Sequence, residues 1–375
     1  MEFNIHVQVL AAVFAIAVVM GAVANKTNFC TMGAVSDWVN MGDTGRMRAW
    51  MLAMAVALTG VIALEALGKI NLSAETFPPY RSANFAWPRF IIGGLLFGFG
   101  MVLASGCGNK TLVRVGAGNL KSLVVLIIAM FASYLMLWSP LFEKVFLPWL
   151  QPLTVNLARH GIATQELGSF ISGIFGYPAS RNFNMAIAAL IAVNLLVFIF
   201  KSNEFRESRD NILGGVVIGA AIVAGWYLTG GALGQAWKEY ADMATDVPSR
   251  VQVQSYTFIS PMGDSVRYLL SPGKLMLLNF GVMALAGVIT GSFIYAIVNR
   301  SFRIEWFASL GDFVNHAIGG VLMGVGGVLS MGCTVGQAIT GISTLALGSI
   351  MTFVFIVLGA VAAMKYQYWR VMREA

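Results

Sequence analysis

Nine stretches of this 375-residue chain run for 16 to 23 residues almost free of charge. A helix of roughly 20 apolar residues crosses the hydrocarbon core of a bilayer, and helices suit that medium because they pair their own backbone polar groups. The runs cover approximately residues 8–24, 49–67, 90–105, 120–139, 185–200, 211–230, 275–297, 313–330 and 343–364. With 58% hydrophobic and 11% charged residues and a mean hydropathy of +0.76, a soluble globular fold is excluded. The expected fold is an all-α polytopic membrane protein with about nine transmembrane helices. The third, fifth and eighth runs are short for a full crossing, which points to tilted or broken helices, or to loops dipping into protein-lined space. The N-terminus MEFNIH carries no basic n-region, so a secretory signal is not expected.

The net charge of +7 would suggest nucleic acid in a soluble chain, but here it fits the charge bias of membrane loops, and no nucleic-acid role is expected. Of the 24 Lys and Arg, 14 fall in the loops after spans one, three, five and seven and in the C-terminal tail, leaving 10 on the opposite side. The positive-inside rule then puts Lys365, Arg370 and Arg373 in the cytoplasm. The expected location is the cell inner membrane, multi-pass, with a cytoplasmic C-terminus.

Residues 93–107, GGLLFGFGMVLASGC, and 319–333, GGVLMGVGGVLSMGC, agree at nine of fifteen positions, and both end in Gly-Cys. Five spans separate the third from the eighth, so the copies cross in opposite directions and the repeat is inverted. Residues 1–375 thus read as a single membrane domain: a first repeat over about 8–139, a connector helix over about 185–200 and a second repeat over about 211–364. Such architecture places a site near the midplane between halves. Gly94 and Gly98, Gly320 and Gly324, with Gly100 and Gly326, form small-residue faces that allow close helix approach. Gly106 and Gly332, just before the cysteines, are expected to release the backbone from helical geometry and set the thiols beside exposed N–H groups.

The chain has three cysteines, Cys30, Cys107 and Cys333, without a CxxC pair or zinc spacing. A disulfide scaffold is excluded. Each cysteine sits in a Gly-rich polar break, with Lys110 and Asn109 after Cys107, Thr31 after Cys30, and Thr334 and Gln337 after Cys333. Re-entrant loops here could line one path with thiols and aim short helix N-termini at a central anion. By parity Cys30 and the loop after Cys107 lie on the cytoplasmic side, whereas the loop after Cys333 begins on the outer side. Lys121 and Arg114 read as topology determinants, and Glu65 as interfacial. Asp37, Asp43 and Asp312 read as helix caps or proton-coupling carboxylates.

The segments ending in Gly-Cys-Gly-Asn at Asn109 and running from Asn28 to Ala34 resemble the YeeE/YedE family of sulfur-transport membrane proteins, and the likeness spans nearly the full chain. That resemblance implies import of thiosulfate through an inward-pinched channel of hairpin-like loops with a hydrogen-bond relay along thiols. It makes Cys107 the central thiol and Cys30 and Cys333 its companions. It also implies a separate TusA-like sulfurtransferase as partner, since the tail after the ninth span is only about eleven residues. The loops 140–184 and 231–274 are longer than a compact channel needs.

Thiosulfate chemistry agrees. Neutral S–H donors can bind a dianion with a soft sulfur without holding it too tightly to leave, whereas a central Arg or Lys would slow release. The substrate-pathway candidates are therefore Cys107, Cys30, Cys333, Lys110, Asn109, Thr31, Thr334, Gln337, Gly106 and Gly332, with no cofactor and no metal. Two alternatives compete. Met32, Met331 and the 20 methionines suit a soft-metal transporter, although none of His6, His160 and His316 lies in a cysteine motif. A membrane thiol oxidoreductase or sulfurtransferase would form a Cys-persulfide on an activated thiolate. Selenium species remain a further possible cargo.

Overall fold

A computed structural model describes residues 5–72, 75–177, 180–244 and 246–374. Among them the chain is almost wholly helical, and nine segments are long and apolar enough to cross a membrane. The first is α1 (Ile5–Lys26) with α2 (Thr31–Met41), followed by α3 (Gly45–Ala66), then α4 (Trp87–Leu103) with α5 (Gly108–Gly116), then α6 (Leu120–Trp138). The stretch to the fifth span carries short helices α7 (Leu147–Leu150) and α8 (Leu167–Ile174). It also supplies β2 (Val155–Asn156), which pairs antiparallel with β1 (Asn84–Phe85), Asn84 facing Asn156 and Phe85 facing Val155. Then come α9 (Arg181–Phe200), α10 (Asn203–Glu207), α11 (Arg209–Gly230), α12 (Ala232–Met243), α13 (Ile259–Leu269), α14 (Phe280–Val298), α15 (Leu310–Leu329) and α16 (Leu347–Glu374). A π-helical turn, Val335–Gly341, follows Cys333.

The fifth and eighth spans are not short. Helices α9 and α15 have 20 residues each, because both start in polar sequence that hydropathy alone trims away. Arg181, Asn182 and Asn184 open α9, and the Ser309 hydroxyl caps α15 by accepting from the Asp312 N–H at 3.1 Å. The third span is short at 17 residues. It starts with Pro88 in the first turn, a favoured place for proline, and its path continues past Cys107 into α5.

Helix α1 packs on α14, and α3 on α11; α4 packs on α16, and α6 on α15; α4 also crosses α15. Glycines set these distances. At the α4–α15 crossing, a Cβ on Gly93 would lie 2.8 Å from the Gly326 carbonyl oxygen, and one on Gly319 would lie 2.7 Å from that of Gly100. The Gly94 and Gly98 pair meets α16, where a Cβ on Gly98 would sit 2.1 Å from the Ile356 carbonyl oxygen. The Gly320 and Gly324 pair meets α6, with Ala132 Cβ 2.6 Å from a Cβ on Gly324. Backbones this close gain dispersion and Cα–H contacts that larger residues forbid.

The stretch 231–274 is not a loop lying wholly outside the helices. Residues 254–264 are buried, and α13 packs against α6 and α14. Their polar content hides them from hydropathy, yet most of their polar groups are answered within the protein, as burial requires. The Gln254 N–H donates to Thr229 Oγ1 at 3.0 Å, Ser255 Oγ to the Ile222 carbonyl at 2.8 Å, and the Trp138 indole and Asn279 amide to the Asp264 carboxylate at 3.1 and 3.2 Å.

Candidate functional site

All three cysteines stand in one local design. A spanning helix ends, one residue turns left-handed, and the cysteine two residues later stands at the start of the next helical segment. The left-handed residues are Asn28 (φ 50°), Ser105 (φ 57°) and Met331 (φ 62°). Each ending closes with a 6→1 backbone bond: Phe29 N–H to Ala24 at 3.2 Å, Gly106 N–H to Met101 at 2.8 Å, and Gly332 N–H to Gly327 at 2.8 Å. This is the Schellman ending, which usually puts glycine at the left-handed position. Gly106 and Gly332 therefore do not supply the break; the residue before each does. What they supply is room, because a Cβ on Gly106 would meet Lys110 Cγ at 3.3 Å and one on Gly332 would meet Gln337 Cγ at 3.3 Å.

The thiols are buried but not equivalent. Cys30 caps α2 by accepting from the Gly33 N–H at 3.4 Å, and Cys333 accepts from the Gly336 N–H at the same distance. Cys107 occupies the N-cap of α5 with no side-chain cap bond. Its sulfur instead receives the Thr31 hydroxyl at 3.9 Å and lies within hydrogen-bonding reach of the Cys30 thiol. Cys333 approaches from beyond the end of α15, its Cβ 3.8 Å from where a Cβ on Gly108 would stand. The structure thus gathers Cys30, Thr31, Cys107 and Cys333 in one place.

In the segments that follow Cys107 and Cys333 the protein leaves polar atoms unanswered. Both amide atoms of Asn109, the Thr334 hydroxyl and the Gln337 Oε1 are buried and find no hydrogen-bond partner among the described residues. The Thr334 hydroxyl lies beside the Cys107 sulfur, and the Gln337 amide donates to the Ser330 carbonyl. An unpaired buried polar group costs about 1–3 kcal/mol, so several together mark a place built for something else to bind. Thr257, whose hydroxyl is also unpartnered, packs against Gly336. Sequence reasoning missed it because it lies in the stretch taken for an outer loop.

Lys110 is buried, and its ammonium donates to Asn28 Oδ1 at 2.9 Å, so it ties the Cys107 break to the Cys30 break. A cavity of about 350 Å³ reaches Cys30 between Asn28, Lys110, Arg114 and Arg46. Arg114 donates to the Ser105 carbonyl at 2.7 Å, so it caps the α4 end as well as lining this basic mouth. Lys121 pairs with Asp312 at 2.7 Å, and Arg46 pairs with Asp37. Asp43 accepts from the Gly45 N–H at 2.7 Å. Glu65 is not a bare interfacial carboxylate, for it takes both ends of the buried Arg81 guanidinium at 2.8 and 3.1 Å. Its salt bridge is invisible to hydropathy because Arg81 stands outside every span.

A helical membrane protein whose broken spans converge on buried thiols and unpaired polar side chains has the construction of a transporter with a site between its halves. The chain belongs to the sulphur transport family, whose pattern it matches over residues 26–362. It is 24% identical to the thiosulfate transporter TsuA of Escherichia coli K12, over 95% of this chain and 94% of that protein. It is 26% identical to the thiosulfate transporter TsuA of Spirochaeta thermophila, over 90% of this chain and 93% of that one. A shorter likeness, 32% identity over 26% of the chain, joins it to the probable transporter YedE of Escherichia coli K12. Its family is one of transport proteins, and the two relatives that match over nearly their full length are both named for thiosulfate.

Proposed function

We propose that the chain imports thiosulfate across the inner membrane, the anion passing from Cys333 to Cys107 to Cys30. One observation carries the reading: Cys107 alone among the three thiols is not spent on capping a helix, and unpaired polar groups follow it and Cys333 in the chain. A thiol donor can meet the soft terminal sulfur while Asn109, Thr334 and Gln337 meet the oxygens. Donors that are neutral bind a dianion loosely enough for it to leave. From Cys30 the anion reaches the basic cavity, whose Lys110, Arg114 and Arg46 draw it onward to the cytoplasmic side, where a TusA-like sulfurtransferase is the partner of the proposal.

The same reading makes the halves an inverted pair with α9 as connector. Its support is the exchange of contacts: α1 on α14 mirrors α11 on α3, α4 on α16 mirrors α15 on α6, and the Gly93–Gly326 approach mirrors Gly319–Gly100. The test uses purified protein in liposomes with radiolabelled thiosulfate. Cys107→Ala is expected to lower uptake at least tenfold, with smaller losses for Cys30→Ala and Cys333→Ala. Full uptake by a correctly inserted Cys107→Ala protein would defeat the proposal.

A further inference from the structure

A second cavity, about 630 Å³, opens on the face opposite the Cys30 cavity, between the end of α3, the start of α9 and the α11–α12 corner. Its wall holds a buried ion cluster. Arg81 Nη1 donates to Glu65 Oε1 at 2.8 Å, Nη2 donates to Glu65 Oε2 at 3.1 Å, and Nη2 lies 3.4 Å from Glu166 Oε1. Two carboxylates against one guanidinium give the cluster itself a net negative charge and leave Arg81 no free edge to offer an anion.

Glu166 is the carboxylate that can yield. Glu65 holds Arg81 through both oxygens, whereas Glu166 has the longer contact and the Asn184 amide at 2.8 Å. Burial raises the Glu166 pKa, Arg81 and the Asn184 bond oppose that, and the neighbouring Glu65 charge adds to it. The other charged groups on this cavity are cationic: Lys69 after α3, Arg181 on α9 and Lys238 on α12, the last paired with Glu75 at 3.4 Å.

We infer that this cavity is an anion-docking site centred on Arg81, which a small dianion occupies only when Glu166 carries a proton. The inference rests on the transport reading above and makes the cavity the outer station of that path. A proton from water converts the Glu166 carboxylate to the acid, the cluster becomes neutral, and the anion takes the Arg81 Nη2 side that Glu166 held. Losing that proton restores the negative charge and expels the anion.

The cluster is joined to the cysteine segment. Arg81 Nε donates to the Thr344 carbonyl at 3.2 Å, and Tyr80, the residue before it, donates to the Gly336 carbonyl at 2.7 Å. The segment carrying Glu166 is zipped to the same region, with the Leu167 N–H on Leu345 and the Leu347 N–H on Gln165, both at 2.9 Å. This gives the long stretch 140–184 a purpose: it brings Glu166 to Arg81 behind Cys333.

The test is calorimetric titration of thiosulfate, and separately of sulfate, into purified Cys107→Ala protein, so that the thiol site is not read. Buffers of two ionisation enthalpies between pH 5.5 and 8 report proton uptake. The expected result is binding with proton uptake, weakening about tenfold per pH unit above the Glu166 titration. Glu166→Gln should bind at every pH without proton uptake, and Arg81→Gln should lose binding while Glu166→Gln shows that the cavity still folds. Binding independent of pH, a Glu166→Gln protein that keeps the parent profile, or no dianion binding by either protein would overturn the inference. Uptake measured in parallel keeps the two ideas apart. Transport by the parent protein without docking sinks the docking site alone, and docking without transport sinks the transport reading alone.

Discussion

At the scale of single residues the site is defined by what the protein leaves unpaired. Asn109 makes no side-chain hydrogen bond among the described residues although it is fully buried, so its amide costs stability, a cost that the proposed contact with the anion offsets. Asn109→Leu is therefore expected to leave the thermal midpoint unchanged or higher, since an unsatisfied amide costs about 1–3 kcal/mol, while thiosulfate uptake falls at least tenfold. A residue that merely packed would lose stability instead. Ser105 supplies a second case, for its φ of 57° suits glycine better than an L side chain. Ser105→Gly should stabilise by up to about 1 kcal/mol, the relieved strain being partly offset by the freer unfolded chain, as a denaturant midpoint in detergent would show. The sequence pointed to these breaks but placed the strain on Gly106 and Gly332. Composition tells which residues can turn left-handed; only the 6→1 bonds tell which ones do.

Among elements, the twinned glycine faces decide how closely the spans meet. Gly98 stands against the Ile356 backbone, and Gly324 against Ala132, where a side chain must push one helix away from its neighbour. Gly98→Val should destabilise by on the order of 1–3 kcal/mol or more and yield protein that aggregates on mild heating. Gly273→Ala, with nothing within 4 Å of the new methyl, should behave as the parent does. Equal stability of the two variants would show that the α4–α16 contact is not tight. The nine spans and the twin segments were legible because apolar length and repetition are local signals. The buried stretch 254–264 was not, because Gln254, Ser255 and Asp264 look solvated until the groups that answer them, from Thr229 to Trp138, come together from distant parts of the chain.

For the whole molecule, the two faces differ in how near they come to the thiols. The basic cavity is lined by Cys30, whereas the opposite cavity stops at Glu65, Arg81 and Thr229 without touching Cys333. Between that cavity and Cys333 stand the Tyr80 hydroxyl on Gly336 and the Trp226 indole on Ser343 Oγ at 3.1 Å. The resting protein is thus closer to open on the side of Arg46 and Arg114 than on the other, an arrangement suited to alternate exposure of one site more than to a continuous pore. Single-cysteine variants read this directly. A membrane-impermeant maleimide should label the Cys30-only protein at least tenfold faster when it reaches the face carrying Arg46 and Arg114 than when it reaches the other. The Cys333-only protein should label slowly from both faces, and faster from the Arg81 face once thiosulfate is added, because an anion must displace Tyr80 and Trp226 to reach Cys333 even where Cys107 is absent. If Cys333 without substrate labels as fast from the Arg81 face as Cys30 does from its own, both ends are open together and the path is a pore. If Cys30 labels only from the face carrying Arg81, the lining of the basic cavity is misassigned and the direction of transport proposed here reverses.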